Sequence, residues 1–253
     1  MKTNRREFLI HASAATALAA VSTPLSAIQK SRNRCRAVAF DAFVIFDPRP
    51  PFALAESLFP DHGSELNALW KTRLFEYTWL RTLSGRYADF PSVIADALIY
   101  AAKSLKIDLK PGQKKDLLDC FFHLKSWPDV LPAVRQLHGL GLKLGFLSNF
   151  SEAMFAANLK SSGLDGCFDQ LLSTDRVKAY KPDPRAYQMG IDAFRLKRTE
   201  IVFAAFGAWD AAGAKSFGYT TFWVNRAGAV EEELGAPVDA TGEMSNFVDF
   251  VGA

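Results

Sequence analysis

The chain has 253 residues, of which 49% are apolar and 23% are charged, and its formal net charge is +3. This balance is typical of a globular protein with one large domain or two modest domains. A charge so close to neutral gives no electrostatic reason to expect a nucleic-acid partner or an anionic membrane surface.

The first 27 residues have the pattern of an export signal. Arg5 and Arg6 precede an alanine-rich run over residues 12–21, and small residues follow at Ser26 and Ala27. The adjacent arginines are typical of a twin-arginine signal peptide, so we expect a periplasmic protein that lacks residues 1–27 and does not associate with the membrane. An uncleaved anchor is the alternative, although the run is short and alanine-rich for a bilayer span.

The first predicted element after the signal is a strand over residues 37–40, an unbroken apolar run that ends at Asp41. Such a run is typical of a strand buried on both faces of a parallel sheet. The pattern then becomes helical from residue 51 to about 125, without any strand signal. Four helices are predicted there, over residues 51–59, 64–83 (with Ser64 as N-cap), 91–105 and 111–122.

Helices and strands alternate again from residue 128 onwards. Strands are predicted over residues 142–147, 170–173, 201–206 and 220–224, with helices over residues 130–140, 151–161, 184–194 and 208–217. This alternation indicates an α/β fold in which a parallel sheet is covered on both faces. We therefore predict a sheet domain from residues 28–50 and 126–253, interrupted by an all-helical cap domain from residues 51–125.

Polar side chains follow the predicted strands at their carboxyl ends, where open α/β sheets place their chemistry. Asp41 follows the first strand, and Ser148 and Asn149 follow the second. Lys181 lies in the loop after the third strand, and Asp210 comes after the fourth. A cation near Asp41 would keep that carboxylate ionised, and an oriented carboxylate can act as a covalent nucleophile.

Each of these polar residues also has a purely structural interpretation. Asp41 could be a turn or helix-cap residue, and Asp210 could cap the helix that follows it. Lys181 could be a solvated loop lysine. Ser148 and Asn149 could cap the helix after the second strand, which is compatible with a functional role.

Four short motifs resemble, in the same order, those of the haloacid dehalogenase superfamily. They are Phe-Asp-Ala-Phe at 40–43, Leu-Ser-Asn at 147–149, Tyr-Lys-Pro-Asp at 180–183 and Ala-Trp-Asp-Ala-Ala-Gly-Ala at 208–214. Two segments of the helical insert, residues 76–81 and 85–87, look like parts of the helical cap of its L-2-haloacid dehalogenase branch. The resemblance covers residues 36–251 and implies a Rossmann-like parallel sheet with an inserted helical cap.

Phe43 separates the chain from the metal-dependent phosphatases of that superfamily. Those enzymes have an aspartate two residues after the nucleophile, which acts as acid and base. Phe43 can neither ligate a hard cation nor transfer a proton. The expectation is therefore a hydrolase without a metal or other cofactor, suited to displacement at carbon.

The resemblance implies a reaction on a small 2-haloacid, a 2-halocarboxylate. Asp41 would displace halide from C2 with inversion, and water would hydrolyse the resulting ester to the 2-hydroxy acid. Lys181 would neutralise and orient Asp41, and Asp210 would position the water or hold Lys181. Ser148 and Asn149 would bind the substrate carboxylate.

Further pocket residues are implied by the same resemblance. Lys71 stands where the branch has an arginine that assists halide departure, and lysine lacks the planar guanidinium fork. Phe43, Phe90 and Trp209 fall at positions that line an apolar pocket, although aromatic side chains are core residues by default. A homodimer is a further expectation, because branch members are often dimers.

The chain also departs from the branch in two places. The loop after Asp41 is one residue shorter, and Ala205 and Gly207 replace a serine and an asparagine near the nucleophile. Two other functions therefore stay open: a hydrolase of another small carboxylate or of a phosphate ester, and a non-catalytic binding protein with this fold.

Overall fold

A six-stranded parallel sheet lies at the centre of the computed structural model, which describes residues 35–252. The predicted signal peptide lies outside the described residues. The strands are β1 (Ala37–Phe40), β2 (Lys143–Ser148), β3 (Gln170–Ser173), β4 (Ile201–Ala205), β5 (Thr220–Val224) and β6 (Ala240–Gly242). Their order in the sheet is β3-β2-β1-β4-β5-β6. The predicted α/β class is confirmed.

Strand β1 lies between β2 and β4, with Phe40 opposite Phe146 on one side and Ala204 on the other. All four of its side chains are fully buried, which explains why its sequence is apolar without alternation. Asp41 is the next residue, and its N–H donates to the Ala204 carbonyl at 2.9 Å. The topology therefore delivers Asp41 to the middle of the carboxyl edge of the sheet.

Six helices belong to the sheet region. They are α1 (Ala42–Ile45), α6 (Val130–Gly139), α7 (Glu152–Ser162), α8 (Pro184–Phe194), α9 (Ala208–Phe217) and α10 (Met244–Gly252). One buried apolar cluster includes Val38 and Phe40, and a second includes Ala37 and Ala39, so both faces of β1 are covered. Helices α1 and α10 and strand β6 were not among the predicted elements.

The chain between α1 and α6 is helical, as predicted. It contains α2 (Arg49–Leu58), α3 (Gly63–Leu83), α4 (Phe90–Ser104), α5 (Pro111–Asp119) and a 3₁₀ turn, Cys120–Phe122. The buried Trp70 of α3 donates its indole N–H to the carbonyl of Ile94 in α4 at 3.0 Å. The division into a sheet domain and a cap domain at residues 51 and 125 stays a prediction.

Helix α3 begins one residue earlier than predicted, with His62 as its N-cap instead of Ser64. The first residue of the helix, Gly63, packs against α2. A Cβ atom at Gly63 would lie 2.5 Å from the Cα of Glu56. Only glycine fits so close an approach of two backbones, which accounts for a glycine at the first position of α3, next to α2.

The two connections between the sheet and the helical segment run side by side. The N–H of Asp47 donates to the Lys125 carbonyl at 2.8 Å, and the N–H of Trp127 donates to the Ile45 carbonyl at 3.0 Å. Two guanidinium groups contact the Trp127 ring, with central carbons 4.6 Å (Arg49) and 4.5 Å (Arg226) from its centroid. These two cation–π contacts add to the backbone hydrogen bonds at this crossing point.

Two further properties follow from residues 35–252. No helix in this range is both long enough and apolar enough to cross a membrane. Cys35, Cys120 and Cys167 are free, half-buried thiols. Burial raises the pKa of Cys35 to about 11, so its reactive thiolate form is disfavoured.

Candidate active site

Asp41 is held by three hydrogen bonds at the edge of the sheet. It is the N-cap of α1, and its Oδ2 accepts from the N–H of Phe43 at 3.0 Å. Its Oδ1 accepts from Lys181 Nζ at 2.7 Å and from the Ser148 hydroxyl at 3.2 Å. Asp41 therefore has the capping role that we considered, and the same contacts orient its carboxylate.

Lys181 lies between two carboxylates. Its Nζ donates to Asp41 at 2.7 Å and to Asp210 Oδ2 at 2.5 Å, and only 1% of its side-chain surface is exposed. Burial acts to lower the pKa of Lys181, but the negative charges of Asp210 and Asp41 outweigh it and raise the pKa above the usual value. Lys181 is therefore a buried ammonium group and not a solvated loop lysine.

Asp210 lies in the first turn of α9, and the N-cap of that helix is Gly207, so Asp210 does not cap it. Its Oδ1 accepts from the Tyr187 hydroxyl at 2.7 Å, while Oδ2 accepts from Lys181. Burial raises the pKa of Asp210 to about 6, although the charge of Lys181 opposes this change. Since both oxygens already have donors, the geometry favours the role of holding Lys181 over that of positioning water.

Ser148 and Asn149 connect the nucleophile loop with the lysine loop. Ser148 is the last residue of β2, and its hydroxyl contacts Asp41. The Asn149 side-chain oxygen accepts from the backbone N–H of Lys181 at 3.2 Å. Neither residue caps α7, because the hydroxyl of Ser151 accepts from the N–H of Met154 in that role. Both side chains are thus available to the site.

A small cavity of about 30 Å³ lies beside Asp41. Its lining includes Asp41, Phe43, Phe75, Phe90, Ser148, Asn149, Phe150, Phe206, Gly207, Trp209 and Asp210. The structure therefore places Phe43, Phe90 and Trp209 where the pocket prediction expects them.

Lys71 is the exception among the predicted site residues. It lies on an exposed part of α3, and its Nζ is 4.3 Å from the ring centroid of Phe52. It does not line the cavity beside Asp41. The structure thus places Lys71 outside this cavity, with its ammonium group in a cation–π contact with Phe52 of α2, and its role in halide departure stays a prediction.

The donor set around Asp41 does not suit a hard divalent cation. Within residues 35–252, no group of three or more His, Cys, Asp and Glu side chains is gathered in a way that could hold a metal ion. Asp41 and Asp210 are instead joined through the Lys181 ammonium group, which occupies the space between the carboxylates. Phe43 supplies a hydrocarbon ring where a third oxygen ligand would be needed.

Several site residues were missed by the sequence reasoning. Tyr187 is buried and binds Asp210, and its only local signal is its position in the first turns of α8, six residues after Lys181. Phe75 and Phe150 belong to the cavity wall, but apolar residues with helical spacing predict only a buried face. Phe206 follows β4. It lies between Ala205 and Gly207, and the prediction considered only the polar side chains that these two residues lack and not the aromatic ring between them.

The arrangement can perform nucleophilic substitution. Lys181 places a buried ammonium group on the carboxylate of Asp41, and three donors fix its orientation beside a cavity with apolar walls. An oriented carboxylate in a pocket that excludes bulk water is a stronger nucleophile than one in solution. No arginine or lysine lines the cavity in the described part of the chain, so a bound anion would depend on hydrogen bonds from Asn149 and the neighbouring backbone.

A family model described as haloacid dehalogenase-like hydrolase matches residues 44–218 of the chain. The chain is 40% identical over 205 residues to an (S)-2-haloacid dehalogenase from Pseudomonas sp. (strain YL), covering 81% of this chain and 88% of that protein. It is 37% identical over 210 residues to haloacetate dehalogenase H-2 from Moraxella sp. (strain B), covering 83% and 94% respectively.

Solved structures give the same result. A crystal structure of an L-2-haloacid dehalogenase superposes with a TM-score of 0.85 at 39% identity, covering 87% of this chain and all of that chain. The L-2-haloacid dehalogenase from Xanthobacter autotrophicus, with chloropropionic acid covalently bound, superposes with a TM-score of 0.77 at 27% identity, covering 86% and 98%.

Proposed function

Since the chain belongs to the haloacid dehalogenase-like hydrolase family, we propose that it is a 2-haloacid dehalogenase that uses no metal ion. The observation that carries this proposal is the contact of 2.7 Å between Lys181 Nζ and Asp41. This contact pairs the Asp41 carboxylate with a buried cation and orients it, while Phe43 takes the position of the carboxylate that phosphoryl transfer would need. The curated relatives with 37% and 40% identity are dehalogenases of haloacetate and of (S)-2-haloacids.

The reaction proceeds in two displacements. A carboxylate oxygen of Asp41 attacks C2 of the haloacid from the side opposite the halogen, so the new C–O bond forms as the C–halogen bond breaks and halide leaves with the electron pair. The product is an ester of Asp41. Water then adds to the ester carbonyl of Asp41, and the bond between that carbonyl carbon and the ester oxygen attached to C2 breaks. This oxygen, which Asp41 supplied, takes one proton from the water and leaves in the 2-hydroxy acid, and the second proton is released as the Asp41 carboxylate re-forms.

The surrounding residues support both displacements. Lys181 and Ser148 donate to one oxygen of Asp41 and the N–H of Phe43 donates to the other, so the carboxylate stays oriented. Asp210 and Tyr187 hold Lys181 in place from the far side. The covalent chloropropionic acid adduct of the relative from Xanthobacter autotrophicus is consistent with an ester intermediate here.

The proposal is tested by incubating the protein lacking residues 1–27 with chloroacetate and (S)-2-chloropropionate, without magnesium and with it, and measuring chloride. We expect chloride release that magnesium does not change and that Asp41→Asn abolishes. Asp192→Asn, which changes an exposed carboxylate on α8, is the matched control and should release chloride like the unmodified protein. Phosphate release from aryl phosphates that requires magnesium would favour a phosphatase instead.

A single turnover in ¹⁸O-labelled water distinguishes the ester from direct attack by water. With enzyme in excess, the label should appear in the peptide that contains Asp41 and not in the first hydroxy acid released. Label found directly in the product would contradict the covalent route. No turnover with any haloacid, together with measurable binding, would favour a non-catalytic binding protein.

We also propose that the protein is exported to the periplasm by the twin-arginine route, because Arg5 and Arg6 precede an alanine-rich run and a Ser-Ala pair. Replacing both arginines by lysine should leave the full-length protein in the cytoplasmic fraction. Replacing Lys2 by arginine is the control, which should be exported normally.

A homodimer is a further proposal, supported by exposed leucines near the end of α3. Leu80 and Leu83 are 57% and 84% exposed, and since they are three residues apart in one helix they are neighbours on its surface. Light scattering after gel filtration should give twice the mass of the mature chain, and a double substitution of both leucines by lysine should give the monomer. A monomer for the unmodified protein would contradict the proposal.

A further inference from the structure

The loop that carries Lys181 is bound by side chains from two different parts of the chain. The backbone N–H of Lys181 donates to the side-chain oxygen of Asn149, which follows β2, at 3.2 Å. The backbone N–H of Tyr180 donates to the Thr82 hydroxyl oxygen at 3.0 Å. Thr82 lies in the last turn of α3, in the helical segment between α1 and α6. Two successive backbone N–H groups are therefore fixed, one by the sheet region and one by the helical segment.

The side chain of Tyr180 makes a second attachment to the helical segment. Its hydroxyl donates to the Ala88 carbonyl at 2.6 Å, and its ring stacks on that of Tyr87 with 4.9 Å between centroids. The ring of Phe90, the first residue of α4, lies 6.1 Å away. Only 1% of Tyr180 is exposed, so the residue before Lys181 is packed against the helical segment out of contact with water.

Tyr87 binds the beginning of the same loop. Its hydroxyl donates to the carboxylate of Asp175, in the 3₁₀ turn Thr174–Arg176 that follows β3. The ammonium group of Lys178 lies 5.1 Å from the centroid of the Tyr87 ring. The chain between β3 and Lys181 therefore contacts the helical segment at its beginning, through Asp175, and at its end, through Tyr180.

We propose that Thr82 is a positioning residue for Lys181. This inference rests on the proposed function and adds to it a residue outside the cavity. The Lys181 ammonium group has to reach Asp41 and Asp210 at the same time, so a shift of its main chain by a fraction of an ångström disturbs both contacts. Thr82 does not line the cavity beside Asp41. Its hydroxyl therefore acts on the reaction through the lysine loop and not by binding the substrate.

Thr82→Val tests this role, because valine keeps the shape of the side chain and removes the oxygen that accepts from Tyr180. We expect kcat for chloroacetate to fall about three- to tenfold, which is the range that the loss of one hydrogen bond between uncharged groups corresponds to. KM should stay within about twofold, because the residues that line the cavity are unchanged. Thr82→Ser keeps the hydroxyl and should have a kcat within about twofold of the unmodified protein.

Thr72→Val is the matched control. Thr72 lies in the same helix, and its exposed hydroxyl donates to the Ala68 carbonyl at 2.9 Å. The Thr82 hydroxyl makes the same kind of bond, to the Thr78 carbonyl at 2.8 Å, so the two valine variants differ in the contact with the lysine loop. Thr72→Val should keep the kcat of the unmodified protein. Equal losses of kcat in both valine variants, or a Thr82→Ser as slow as Thr82→Val, would overturn the inference.

Amide hydrogen exchange followed by NMR gives a readout that does not depend on turnover. In Thr82→Val the N–H of Tyr180 has lost its acceptor, so we expect it to exchange faster than in the unmodified protein, while N–H groups within β2 keep their rates. An unchanged exchange rate at Tyr180 would overturn the inference.

The failure of this inference can be distinguished from the failure of the proposed function. An unmodified protein that releases chloride, with a Thr82→Val variant of equal kcat, would overturn the positioning role alone. An unmodified protein that releases no chloride from any haloacid would overturn the dehalogenase function, and the positioning role with it.

Discussion

The hydrogen bond from Tyr187 to Asp210 gives a prediction that can be worked out quantitatively. The hydroxyl lies 2.7 Å from Asp210 Oδ1, and both residues are fully buried. A hydrogen bond to a charged group in such surroundings contributes about 1.5–3 kcal/mol, so Tyr187→Phe should lower the free energy of unfolding at pH 7–8 by this amount. Urea unfolding followed by tryptophan fluorescence would measure it.

The same substitution should change the pH dependence of the reaction. Burial raises the pKa of Asp210 to about 6, so acidification through this pH protonates Asp210, removes one negative partner of Lys181 and lowers kcat/KM. Tyr187 stabilises the ionised form of Asp210, and its loss raises the pKa of Asp210 further. Since about 1.4 kcal/mol corresponds to one pKa unit, the loss of about 1.5–3 kcal/mol should move the acidic limb of the profile upward by about one to two pH units.

Tyr219→Phe is the matched control for this prediction. The Tyr219 hydroxyl is also buried and donates at 2.6 Å, but to the backbone carbonyl of Tyr187 and not to a carboxylate. It should lose stability while keeping the acidic limb near pH 6. An acidic limb that stays in place in Tyr187→Phe, or that moves equally in both variants, would refute the coupling of Tyr187 to Asp210.

Three further substitutions have expected outcomes. Lys181→Met should abolish halide release and lower the free energy of unfolding by about 3–5 kcal/mol, because two buried carboxylates lose their common partner. A free energy of unfolding in urea equal to that of the unmodified protein would contradict this. Lys71→Ala should keep kcat/KM within about threefold, since its ammonium group contacts Phe52 outside the cavity; a hundredfold loss would place it in the reaction. Arg226→Gln should reduce kcat more than it raises KM, because Arg226 binds the Val44 carbonyl beside the nucleophile loop; unchanged steady-state kinetics would contradict this.

The strands and the residues that follow them could be predicted because their signals are local. Unbroken apolar runs end in Asp41 and Ser148, and parallel pairing brings such ends to one edge whatever the details of the helices. The loop containing Lys181 could be placed in the same way. These side chains accordingly meet in the structure at the distances that a nucleophile and its cation require.

The segment after Asp41 shows where local signals fail. Residues Ala42–Ile45 have an apolar, partly β-branched sequence that does not indicate a helix, yet they form α1 because the Asp41 side chain caps the Phe43 N–H. The residues of the cavity wall could not be predicted for a different reason. Phe75 comes from α3 and Phe206 from the end of β4, and their meeting depends on how the helical segment packs on the sheet, which no local pattern encodes.

Protein engineers who exchange helical segments between relatives would have to respect the crossing point at Trp127. Its indole N–H donates to the Phe43 carbonyl at 3.0 Å, so a residue at the junction directly supports the loop that carries the nucleophile. Arg226, which covers one face of the ring, comes from a different part of the chain. A chimera that exchanges only residues between Asp47 and Trp127 keeps the contacts of Trp127 with Phe43 and Arg226. A chimera that also replaces Trp127 loses the hydrogen bond to the Phe43 carbonyl.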